Sequence, residues 1–138
     1  MLDINSNNLI PSILALQFVA FGWRISREIP VGDAGRKTWF PVPDIINILS
    51  MLCVVFFCVV VPLKSGHFDG ISRVVLAAAF VLIAFHPICM AGHYRLFSTQ
   101  GRHIYTLRGQ DYSYCTVAEA MLVVVAVSLA AAAAWNVA

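Results

Sequence analysis

The chain has 138 residues, of which 60% are hydrophobic and only 12% charged, with a formal net charge of +2. Soluble domains run near 45–50% apolar and about 25% charged, so this composition and a mean hydropathy of +0.82 exclude an ordinary water-soluble enzyme. The net charge is too small to name a partner, but the placement of the charges is informative.

Four apolar runs alternate with polar loops, at about 9–23, 45–63, 74–91 and 117–135. Crossing roughly 30 Å of hydrocarbon takes about 20 mainly apolar residues in a helix. The last three runs meet that length. The first is short, with Pro11 near its start, where the missing N–H costs nothing because first-turn donors have no helical partner. The runs are unbroken rather than alternating, which selects helices over barrel strands. The first 23 residues hold no Lys or Arg and no Ala-x-Ala, so a cleaved secretory signal is not expected. The expectation is an all-α integral membrane protein, a single four-span membrane domain over 1–138.

The first run carries one polar interior residue, Gln17. After it, Arg24–Asp44 reads as an irregular loop, kept so by Pro30, Gly32, Gly35, Pro41 and Pro43. Within it, Gly32–Thr38 lacks the glycine spacing and the Gly-Lys-Ser/Thr ending of a phosphate-binding loop. Arg24, Arg27, Arg36 and Lys37 fall in this loop, and Arg95, Arg102 and Arg108 fall between the third and fourth runs. The opposite side has only Lys64 and Arg73. Basic residues gather on cytoplasmic loops, so the expected topology is N-out and C-out, with two basic cytoplasmic loops whose seven cations meet lipid headgroups. Aromatic residues interleave with the arginines of the second basic loop, a mixture that suits the membrane interface; no nucleic-acid partner is expected.

The second run opens with Asn47 and Ser50, three residues apart and so on one face, where an amide and a hydroxyl bond to neighbouring helices in lipid. The fourth is Ala-rich with Ser128 among the alanines, a composition that lets helices approach closely. Gln17, Asn47, Ser50 and Ser128 are the expected helix–helix contacts. Glu119 lies in the first turn of the fourth run, where the helix dipole favours an acid. The four cysteines, Cys53, Cys58, Cys89 and Cys115, read as free thiols.

The chemistry concentrates at the end of the third run. His86, Cys89, Met90 and His93 are spaced i, i+3, i+4 and i+7, which puts them on one helical face. Pro87 frees the carbonyl of Ile83 from its helical bond. Imidazole, thiol and thioether suit a soft metal such as Cu(I) or Zn(II), and a histidine in a span suits proton coupling. Haem is a weaker fit, because His86 and His93 lie about 10 Å apart along one helix and the other runs have no histidine. His86, His93 and Glu119 are the candidates for proton coupling or transport; Cys89 and Met90 join the two histidines as candidate metal ligands.

No catalytic constellation is legible and no resident cofactor is expected. The leading functional expectation is an accessory or assembly subunit of a larger membrane complex, or a self-associating membrane protein, in a bacterial plasma membrane. The alternative is a small oligomeric transporter or pore, linked to protons or soft metal through the third run.

Overall fold

The computed structural model describes residues 6–35, 40–94, 96, 105–107, 110–112 and 115–138. Helix α1 covers Ser6–Asp33 and α2 covers Val42–Val54. A π-helical segment, Val55–Val60, carries α2 into α3, Val61–Ser65. Helix α4 spans Gly70–His93 and α5 spans Val117–Val137. Four stretches, Asn8–Asp33, Val42–Ser65, Gly70–His93 and Val117–Val137, are each long and apolar enough to cross a membrane. The protein is thus a helical, multi-pass membrane protein by length and composition. A short antiparallel pairing joins β1 (Tyr105–Leu107) to β2 (Gln110–Tyr112), where the sequence reads as plain loop; threonine and tyrosine favour extended backbone.

The largest departure from the sequence reading is the length of α1. Residues 24–33, read as irregular loop, continue the first helix. Pro30 does not stop it, because a proline removes only its own donor and later residues still bond: Ala34 N–H donates to the Pro30 carbonyl at 3.1 Å. The stop comes at Gly35, whose φ of +70° is the left-handed geometry that ends helices and that other residues adopt at a cost. Arg24 therefore sits well inside a helix rather than at a loop boundary.

Helix α4 is the hub: α1, α2 and α5 all pack on it, whereas α5 touches α2 only lightly. The helix stays continuous through Pro87. At the end distant from the basic loops, Ile13, Val54, Cys58, Leu76 and Ala79 form the buried apolar core. A hydrogen-bonded knot closes this end. In a π turn each N–H reaches back five residues, as Val61 does to Phe56. Pro62, next in line, has no N–H for the Phe57 carbonyl. Ser72 of α4 supplies the donor instead, with Oγ 2.6 Å from the Phe57 oxygen. Cys58 Sγ donates in turn to the Ser72 carbonyl at 3.3 Å. Asp69 caps α4 by accepting the Ser72 N–H at 2.8 Å, and that bond, joined by the Ser72 hydroxyl, holds its carboxyl below the usual aspartate range.

Ser72→Ala is expected to destabilise the fold by about 1–3 kcal/mol, since it leaves the part-buried Phe57 carbonyl without this donor. Unfolding in mixed micelles measures this, and a neutral substitution would contradict the account.

Candidate functional site: a buried charge network at one end of the bundle

Two histidine–carboxylate pairs and one arginine occupy the end of the bundle where the basic loops attach. Asp44 lies in the first turn of α2 and is only 3% exposed. His86 of α4 approaches it from one side, Nε2 to Oδ1 at 2.9 Å. Arg24 of α1 approaches from the other, Nε to Oδ2 at 3.0 Å. That contact lies off the N–H axis, so it is more Coulombic than hydrogen-bonded. Arg24 also pairs with Glu28 one turn along, Nη2 to Oε1 at 2.6 Å, and Nη1 donates to the Tyr94 hydroxyl. One carboxylate thus ties α1, α2 and α4 together. Which of the two groups donates in the His86–Asp44 contact is set by the tautomer of the ring.

The second pair joins α4, α5 and α2. His93 Nδ1 lies 2.8 Å from Glu119 Oε2. Glu119 is fully buried and accepts two further bonds, from Thr116 N–H at 3.3 Å and from Val42 N–H at 3.2 Å. The Thr116 bond closes a capping box, because the Thr116 Oγ1 accepts the Glu119 N–H at 3.0 Å. The Val42 bond caps a different helix. Helix α2 begins after Pro41, which offers no side-chain acceptor, so Glu119 of α5 takes its first-turn donor. Gly92 makes this approach possible: a Cβ there would stand 2.9 Å from Leu122 Cδ1 and 3.1 Å from Glu119 N. Thr116 Oγ1 completes the seam by donating to the Gly92 carbonyl at 2.9 Å.

Nearer the middle of the bundle, Gln17 Nε2 donates to Ser50 Oγ at 3.1 Å and Asn47 Nδ2 to the Gln17 carbonyl at 3.3 Å. The amide oxygens Gln17 Oε1 and Asn47 Oδ1 are buried without a partner among the described residues. Polar groups therefore run from the loop end to about mid-bundle and stop at the apolar core around Ile13 and Val54.

The expected site residues divide clearly. The structure brings His86, His93 and Glu119 into the network and buries Cys89 and Met90 beside them. Both histidines turn to carboxylates, and no group of three or more His, Cys, Asp or Glu able to hold a metal occurs among the described residues. Gln17, Asn47 and Ser50 meet one another between α1 and α2, whereas Ser128 is exposed on the outer side of α5. Arg24, read as a headgroup ligand, is instead 4% exposed and committed to Asp44, Glu28 and Tyr94. The longer α1 carries it inward, and a buried guanidinium must find counter-charge. Arg27 is exposed and stacks over the Tyr94 ring at 4.0 Å. Arg36, Lys37, Arg95, Arg102 and Arg108 lie outside the described residues. All four cysteines are free.

Sequence reasoning missed Asp44, Glu28 and Tyr94. The spacing Arg24–Glu28, i and i+4, was the available signal for a continuing helix. Asp44 is an acid in the first turn after Pro43, which reads equally well as a loop end or as a helix start.

Arg24→Leu is expected to cost about 3–5 kcal/mol, because Asp44 keeps its buried charge without the guanidinium. Arg24→Leu/Asp44→Leu should recover most of that loss in mixed-micelle unfolding. Equal losses in the single and double variants would show that the two charges do not depend on each other.

Comparison with known families, with curated proteins and with solved structures gives no match to this chain, so its own geometry carries the functional reading.

Proposed function

We propose that this protein acts by assembly rather than by chemistry, as a small accessory subunit of a membrane complex or as a self-associating membrane protein. The observation that supports this reading is the outer side of α5. That helix packs along α4 and only grazes α2. Its opposite side, including Val124, Ser128, Ala131 and Ala132, is exposed. Small residues and a hydroxyl on a lipid-facing helix suit close packing against another helix. The inward side of the protein is already closed by its own charge pairs, so new contacts fall to the outer surface. In this reading the host is a bacterial plasma membrane, with both termini outside and the basic loops cytoplasmic.

In membranes, Ser128→Cys in a background lacking the four native cysteines is expected to form a crosslink to a second copy or to a co-purifying membrane protein. A protein that stays monomeric in mild detergent and gives no crosslink overturns the proposal.

A second reading, a small proton-linked transporter or pore, is favoured by the histidine–carboxylate pairs inside membrane-length helices, where ionisable groups are costly and commonly functional. Proton coupling suits these pairs better than soft-metal coupling, because each histidine already faces an acid. The apolar core around Ile13 and Val54 would have to open for transit. Proteoliposomes test this reading: proton flux should be present and should fall at least about tenfold in His86→Ala, the loss typical of removing a positioned proton-transfer group. Flux unchanged by the substitution removes the third span as the pathway.

A further inference from the structure

A groove of about 470 Å³ runs along the outer surface between α1 and α4. This lies within the roughly 300–1,000 Å³ of ordinary ligand pockets. Leu16, Val19 and Trp23 form one wall and Phe80, Ala84 and Pro87 the other. Most of these side chains are exposed, so in a membrane the groove opens sideways to lipid. It is not apolar throughout. Its loop end is formed by His86 and Tyr94. His86 uses Nε2 on Asp44, and its Nδ1 has no partner among the described residues.

A cation stands at the rim of this end. Arg27 lies one turn beyond Trp23 on α1, with its guanidinium 4.0 Å from the Tyr94 ring centroid and 6.0 Å from that of Trp23. Both rings line the groove. Among the described residues Arg27 has no carboxylate partner; the nearby acid Glu28 is taken by Arg24. The contact with the Tyr94 ring holds the guanidinium without using its N–H donors, which suit the paired oxygens of a phosphate or carboxylate. An apolar trough at membrane depth, with an uncompensated fork of donors at its interfacial end, complements a molecule with a hydrocarbon chain and an anionic head.

We propose that the α1/α4 groove is a binding site for an anionic membrane lipid, with one acyl chain lying between Leu16 and Pro87 and the anionic head bound by Arg27. The site is independent of the α5 surface on which the assembly proposal rests. It assigns Arg27 to one specific lipid rather than to the general headgroup layer, and it gives Trp23 a role as a wall of the site.

Trp23 also provides the readout. With Trp39→Phe and Trp135→Phe it becomes the sole tryptophan. The protein is reconstituted with increasing fractions of chain-brominated phosphatidylglycerol, phosphatidylcholine or free fatty acid, and quenching of Trp23 is followed. Brominated phosphatidylglycerol is expected to reach half-maximal quenching at a roughly five-fold lower mole fraction than phosphatidylcholine, the scale of one cation near an anionic headgroup. Arg27→Gln should abolish that preference while leaving maximal quenching unchanged. Ala84→Phe, which fills the groove at an exposed position, should lower maximal quenching for every lipid. A low half-maximal fraction for the fatty acid as well would widen the accepted head to any anion and support the site. Coincident curves for the two phospholipids, or a preference that survives Arg27→Gln, would overturn it and leave the groove to a protein partner.

Discussion

A charge buried at membrane depth must find its opposite inside the protein, and Asp44 is where this chain meets that constraint. Its two oxygens face Arg24 of α1 and His86 of α4, while its own backbone starts α2. Helix orientations that separate these three groups strand a charge in a low-dielectric interior, which costs several kcal/mol per ion. Glu119 repeats the arrangement one step further toward the loops, joining α5 to α4 and α2. The two carboxylates share α4 and α2, so together they fix all four membrane-length helices. The network selects one arrangement of the helices. Apolar groups of the same shape in its place could hold the bundle as firmly while specifying it less.

Helix ends receive the same treatment. Without water to satisfy free N–H and C=O groups, each end needs a donor or acceptor from elsewhere in the chain. Val42 N–H goes to Glu119, the Gly92 carbonyl accepts from Thr116, and the Phe57 carbonyl, which Pro62 cannot serve, accepts from Ser72. Each bond is made between helices rather than within one. Capping and packing are therefore one event here: a helix is completed only when its neighbour is in place. Helices in lipid gain little from apolar burial, because the lipid is as apolar as the core, and such polar closures supply much of the specificity.

The result is a polarised bundle. One half is charged and cross-linked by hydrogen bonds; the other is an apolar core closed by the Ser72 knot. The outer surface differs as well. Helix α5 presents Ser128, Ala131 and Ala132 among larger apolar side chains, whereas the α1/α4 side presents a groove with a cation at its rim.

The sequence by itself determined the class of the protein. Uninterrupted apolar runs of membrane length leave a helical multi-pass protein as the physical solution, because only helices satisfy their own backbone along such runs. The spacing of His86, Cys89, Met90 and His93 placed these residues on one face, since helical periodicity is local. Local periodicity could not show what that face meets. Asp44 and Glu119 lie 42 and 26 residues away from their histidines, and only packing brings them within hydrogen-bond distance. The same limit put Arg24 at the membrane surface. Pro30 and Gly32 are breakers in isolation, but α1 continues past both, and the reward for continuing is a counter-charge on another helix. Composition and period act between near neighbours and decide which segments become helices. Which buried charge finds which partner depends on groups far apart in the chain, and only the tertiary structure decides it.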